Sequence, residues 1–254
     1  MRTILVIYLF FVGLCGTEAQ SVTVSKEMPL KSDLAYDLLG LVGDKILLYR
    51  DRGNHKHNVE IFDKEMTFIA DRDIKFEKKK VDVHGIVARD SSFNLMYSYK
   101  DDGEIVHMIR KYGSNMILQD STELFRLPKT FKKKRYLLET SENKKFSILF
   151  NFEEDSKMDF YVIRHDSLDV LHKKVLQVKS LNIRDKFDKV VLTDRSEILI
   201  LLEKQNSRYS KNENHLGLFI LDKGAGYRYT QINNRDRVVS DVEMSFDNIN
   251  SLAE

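Results

Sequence analysis

After residue 34 the apolar positions come in short runs separated by polar turns, and within many runs apolar and polar residues alternate. Phe93-Asn94-Leu95-Met96-Tyr97-Ser98-Tyr99 and Phe146-Ser147-Ile148-Leu149-Phe150-Asn151-Phe152 are the clearest examples. Aromatic and aliphatic residues interleaved with polar ones fit the pleat of a half-buried strand. The runs are bounded by Asp, Asn, Ser and Gly, the residues that tight turns require. Laid over itself, the chain repeats one plan of strand, tight turn, strand, loop, strand, turn, strand. The first unit has strands at 35–42, 45–50, 59–62 and 66–70. The second has them at 81–88, 93–99, 105–110 and 116–119. The third follows with 136–139, 146–152, 160–164 and 170–178, and the fourth with 187–193, 197–202, 216–221 and 227–232. Equivalent first turns fall at Asp44, Ser91, Glu142 and Asp194. A fifth unit begins at Val242 and reaches its first turn at Asp247-Asn248.

A four-stranded unit recurring at about 50 residues predicts an all-β fold of antiparallel blades, a β-propeller. The unit bounds are about 35–77, 81–127, 135–181 and 185–236, with a partial unit at 238–254. Pro29 and Pro128, the only prolines, fall outside the proposed strands, as hydrogen-bonded ladders require. In unit length and strand pattern, residues 21–254 resemble secreted bacterial β-propeller repeat proteins of uncharacterised function. No diagnostic motif accompanies the resemblance: the chain has no tryptophan, so the Trp-Asp ending of WD repeats and the tryptophan of Asp-boxes are missing. Residues 20–34 read as an N-terminal strand and linker, with Ser21 to Ser25 suited to the outer strand of a last blade. Because the chain stops just beyond the fifth first turn, we expect an incomplete ring or a fragment of a longer propeller.

The first residues change the picture of compartment. Arg2 precedes an apolar run from Ile4 to Leu14, and Thr17 and Ala19 stand at signal-peptidase spacing. Residues 1–19 therefore read as a secretory signal with Gln20 as the new N-terminus. The run is shorter than the roughly 20 residues needed to span a bilayer, and no later stretch has membrane length. A lipid anchor at Cys15 is the competing reading, but Leu14 stands where lipoprotein signals carry a small residue. Cys15 is the only cysteine, so the processed chain excludes thiol catalysis, thiolate metal sites and disulfides. The expected address is outside the cytoplasm: periplasm, cell surface or secreted.

Charge is abundant but balanced, with 41 basic and 39 acidic residues for a net charge of +2. That balance gives no reason to expect nucleic acid as a partner. The basic residues concentrate in the connectors between units: Lys78, Lys79 and Lys80; Lys132, Lys133, Lys134 and Arg135; Arg184 and Lys186; Arg235 and Arg237. In a propeller these connectors share a face with the loops between second and third strands. Together with Arg208 and Tyr209 in the long 204–214 loop, they form a candidate ligand face for a protein or glycan. Asp101, Asp102, Glu104, Glu153, Glu154 and Asp155 reach the same face, and the competing expectation is local ion pairing worth about 0–1 kcal/mol each.

His55 and His57 have the spacing of two ligands on one side of an extended segment, but a surface loop is the expectation. His84 is expected as a satisfied interior histidine. Neither acidic cluster has the ligand spacing of a calcium loop, and Lys223 to Gly226 links two strands rather than opening a helix. No catalytic residue, metal site or cofactor is assigned. The leading function is a non-enzymatic binding or interaction module. Alternatives are a carbohydrate-active or other hydrolase with carboxylates near the central channel, and a structural component of a surface assembly.

Overall fold

The computed structural model describes residues 34–53, 55–129, 135–178, 187–205, 214–222, 224, 226–232, 244–249 and 252–253. Sixteen strands form four antiparallel sheets, each built in chain order from its own segment. Blade 1 contains β1 (Ala35–Val42), β2 (Lys45–Asp51), β3 (His57–Phe62) and β4 (Phe68–Asp73). Blade 2 contains β5 (Val81–Ala88), β6 (Ser92–Asp101), β7 (Glu104–Gly113) and β8 (Leu118–Pro128). Blade 3 contains β9 (Leu137–Thr140), β10 (Phe146–Glu154), β11 (Lys157–Arg164) and β12 (Asp169–Gln177). Blade 4 contains β13 (Phe187–Leu192), β14 (Ile198–Gln205), β15 (Asn214–Leu221) and β16 (Arg228–Ile232). A short pair, β17 (Phe246–Asp247) and β18 (Leu252–Ala253), opens a fifth unit.

The first strands β1, β5, β9 and β13 touch in succession, and the sheets stack face to face around them. This is a β-propeller, open among the described residues. In blades 2 to 4 the middle strands bury both faces, because each is covered on either side by a neighbouring blade or, beyond blade 4, by the fifth unit. Ile198 to Leu202 is accordingly apolar at every position and fully or nearly buried. The outermost strands are largely exposed. Three apolar clusters fill the junctions. Leu47, Val59, Phe93, Leu95 and Tyr97 lie between blades 1 and 2. Met96, Ile109, Leu149, Tyr161 and Ile163 lie between blades 2 and 3. Ile148, Phe150, Met158, Val190 and Ile200 lie between blades 3 and 4. Met244 and Phe246 of the fifth unit cover Leu199 and Leu201 on the far side of blade 4.

The first turns join one blade to the next. Gly43, held at φ 64°, donates its amide to the Asp90 carbonyl at 2.5 Å. Asn143 donates its amide to Asp194 Oδ1 at 3.0 Å, and the Asp194 amide donates to Asn248 Oδ1 at 2.8 Å. Asn248 Nδ2 returns to Glu142 Oε2 at 2.8 Å. Turns predicted as equivalent from their spacing therefore touch, the fifth included. Gly85 lets the inner strands close: a Cβ there would stand 2.5 Å from Leu138 Cδ2 on β9.

Some sequence expectations are corrected. Pro128 is inside a strand, as the last residue of β8, where the free outer edge asks no amide of it. The loop expected between the strands at 146–152 and 160–164 is a two-residue turn, since β10 and β11 pair as far as Glu154 and Lys157. β4 and β8 extend past their expected ends to Asp73 and Pro128, because outer strands carry too few apolar residues to mark their length.

Candidate functional site

Of the predicted ligand face, Lys78, Lys79, Lys80 and Arg135 are among the described residues; Lys132, Lys133, Lys134, Arg184, Lys186, Arg208, Tyr209, Arg235 and Arg237 lie outside them. Lys78 is neutralised: its Nζ lies 2.9 Å from Asp101 Oδ1, and this hydrogen bond raises the ammonium pKa and lowers that of the carboxylate. Arg126 holds three acids of the same face, Glu123 at 2.7 Å, Glu104 at 3.6 Å and Asp101 at 3.9 Å. Lys79, Lys80 and Arg135 are exposed and make no ion pair among the described residues. The first connector is anchored through Glu77 rather than its lysines. Glu77 accepts from Tyr97 Oη at 2.8 Å and from Arg110, and Arg110 also donates to the Lys75 carbonyl at 2.6 Å. Burial would raise the Glu77 pKa, but these bonds and the backbone hold it low.

Beside Arg135 the connector face leads into the junction of blades 2 and 3, which is layered. At the end bearing the first turns, His165 is fully buried and bridges the blades. Its Nδ1 accepts from Asn94 Nδ2 at 2.8 Å, and its Nε2–H donates to Ser147 Oγ at 2.8 Å. Ser147 Oγ in turn bonds Thr140 Oγ1 at 2.8 Å. This tautomer follows from the Asn94 amide, which also donates to the His165 carbonyl at 3.3 Å. The serine–histidine contact has the distance of a nucleophile and its base. However, Ser147 and His165 are both fully buried, and burial pushes the imidazole pKa down to about 4. The trio is a structural bridge.

The middle layer is apolar, around Met96 and Leu149. The end beneath the connector face is polar again and differently satisfied. His107 stacks on Phe125 at 4.3 Å, meets Tyr136 edge-on at 4.5 Å and stacks on His84 at 5.3 Å. Phe125 stacks on Tyr161 at 3.9 Å. Lys173 lies 5.0 Å over the Tyr161 ring and 3.5 Å from Asp159 Oδ2. Among the described residues, His84 Nε2, both ring nitrogens of His107, the hydroxyls of Tyr136 and Tyr161 and both amide atoms of Asn151 are buried with no hydrogen-bond partner. Burial pulls His84 to about 4 and His107 to about 3. It also raises the Tyr136 phenol.

The histidine expectations are thereby corrected. His84 is interior but its Nε2 is unsatisfied. His57 is no loop residue: it is buried on β3 and bonded to Tyr49 Oη at 2.7 Å, while His55 takes a left-handed φ of 61°, so the segment is not extended and the pair does not share a side. Among the described residues no group of three metal-ligating side chains converges. None of their helices is long and apolar enough to cross a membrane. A cleft of about 200 Å3 opens where β1, β5 and β9 meet, with Asp37, Lys144 and Thr140 beside Leu38, Ile86 and Val87.

No protein-family model matches the chain, and no curated protein sequence does. Among solved structures it is similar to the β-propeller domain of the Trilobed protease from Pyrococcus furiosus, at 12% identity and TM-score 0.46, covering 78% of this chain and 56% of that one. It is also similar to the WD40 domain of SCAP from fission yeast, at 8% identity and TM-score 0.32, covering 85% of this chain and 77% of that one. The chain spans little more than half the length of the first. Likenesses this distant carry no activity across, and the propeller assignment rests on the chain's own sheets.

Sequence reasoning missed His107, Tyr136, Asn151 and Tyr161. Each reads locally as one more alternating strand residue. Only the register of three separate strands, with Tyr136 just before β9, brings them to one junction.

Proposed function

We propose that the chain is an exported, non-enzymatic binding module whose ligand surface is the connector face, centred where blades 2 and 3 meet. The observation that carries this reading is that Lys79, Lys80 and Arg135 stand exposed on this face with no ion pair among the described residues. Exposed cations without acidic partners favour an anionic glycan or an acidic protein surface. Export is supported by the signal pattern of residues 1–19. The test is retention on immobilised heparin as a model polyanion. The wild-type mature chain is expected to bind and to elute with salt. Reversal of Lys132, Lys133, Lys134 and Arg135 to Glu is expected to abolish retention, and unchanged elution of that variant refutes the reading.

One observation favours the hydrolytic alternative. Burial raises the pKa of Glu139 on inner strand β9, against the opposing pull of Lys189, as a general acid requires. Glycoside hydrolysis needs a second carboxylate about 5–10 Å away, and no such pair is assigned. Binding is therefore the reading carried forward.

A further inference from the structure

The junctions between blades are not alike in what they bury. Between blades 3 and 4 the buried cluster is apolar, and Met158, Phe160, Ile198 and Ile200 are fully enclosed. The register of β11 and β12 places His172 on that side, opposite Val162, half-buried on an outermost strand. Between blades 2 and 3, by contrast, His107 and His165 are fully enclosed, and His84 is half-buried against His107. His84 and His107 lie at one end and His165 at the other, with Met96 fully buried between them.

Neither of the two fully buried rings can accept a proton in place. His165 Nδ1 already faces the amide donor of Asn94, so a second N–H there would meet another donor. The ring nitrogens of His107 face aromatic surroundings without an acceptor. A proton on His84 would sit beside the stacked His107 ring. The surrounding charges do not compensate. Asp82, on the same strand as His84, raises its pKa only against a larger burial effect. Across the junction Glu153 and Asp159 lie near Tyr136, and Asp159 is flanked by Lys157 at 3.8 Å and Lys173 at 3.5 Å. Beside His165, Arg89 and Asp166 pair at 2.6 Å, with Lys111 and Lys145 close to Asp166.

We infer that the junction of blades 2 and 3 is an acid-operated hinge: protonation of its enclosed histidines parts these two blades while blades 3 and 4 stay packed. Its direction follows from linkage. The closed junction holds the histidines neutral down to about 4, 3 and 4 for His84, His107 and His165. An open junction lets them titrate near the ordinary value of about 6.5. Opening takes up protons, so it is favoured as pH falls between those limits. The opening equilibrium steepens toward about tenfold per pH unit for each histidine released.

Two methionines report the two junctions in the same molecule. Both Met96 and Met158 are fully buried, one in each junction, and hydrogen peroxide oxidises a thioether to the sulfoxide only where it is reached. The full chain is exposed to dilute peroxide in steps from about pH 7.5 to about pH 4.5, and both sites are quantified by peptide mass spectrometry. Met96 oxidation is expected to accelerate by at least about tenfold across that range, with Met158 unchanged. In His107→Phe, which keeps a ring in the stack but removes one titrating group, the Met96 response is expected to be shallower. Parallel acceleration of both methionines means global unfolding and overturns the hinge. So does a Met96 rate that stays flat to the lowest pH.

Discussion

Ser147 and Asn151 lie on the same face of β10, toward blade 2, and meet opposite fates. Ser147 Oγ is bonded on two sides, to His165 and Thr140, whereas both amide atoms of Asn151 are buried without a partner. Removing one side of a satisfied buried bond strands the other group, at a cost of about 1–3 kcal/mol; removing an unsatisfied group removes its desolvation cost. Ser147→Ala is therefore expected to lower the denaturant midpoint by about 1–3 kcal/mol of stability. Asn151→Leu, close to it in volume, is expected to leave stability unchanged or raise it. Equal losses in equilibrium denaturation would contradict the contrast.

At the scale of the element, strand identity is local while strand placement is not. Phe93 to Tyr99 and Phe146 to Phe152 declare themselves as strands through composition and alternation, and both are middle strands of their blades. The turn at Ser141 is equally local. Its hydroxyl accepts from the Phe146 amide at 3.1 Å, and Lys144 takes a left-handed φ of 55°. The same arrangement recurs at Thr193, which accepts from the Glu197 amide at 3.1 Å, with Ser196 at φ 66°. How closely two first strands approach depends instead on distant residues. Gly85 of β5 meets Leu138 of β9, and a methyl group there must displace the leucine side chain. Gly85→Ala is expected to cost about 1–3 kcal/mol by overpacking. The double variant Gly85→Ala/Leu138→Ala is expected to show positive coupling in a double-mutant cycle. Additive losses would mean that the close approach is not what Gly85 serves.

For the whole molecule, the histidines of the blade 2–3 junction make stability depend on pH, and buried His57, whose pKa burial also lowers, acts in the same direction. The folded values of His84, His107 and His165, about 4, 3 and 4, lie below the ordinary 6.5. The unfolded chain thus binds more protons than the native one between these limits. Their contribution is complete above about pH 6.5 and is lost as pH falls toward the folded values, at up to about 1.4 kcal/mol per pH unit for each group. The thermal midpoint is expected to fall steadily from neutral pH toward about pH 4.5, and a midpoint constant over that range would show that the three rings exchange protons freely in the folded state.

The sequence by itself determined the unit. Residue types at successive positions settle whether a segment pleats, where it turns and how often the plan repeats, because those are interactions between near neighbours. Asp194 and Asn248 were recognisable as equivalent turns for that reason. Tertiary structure alone decided which polar residues became the candidate site. His107, Tyr136, Asn151 and Tyr161 carry no shared spacing, and their meeting depends on two sheets facing each other across an interface that neither builds alone. The connector lysines show the same division: their charge is evident from residue type, but the neutralisation of Lys78 and the openness of Arg135 are matters of distance between blades.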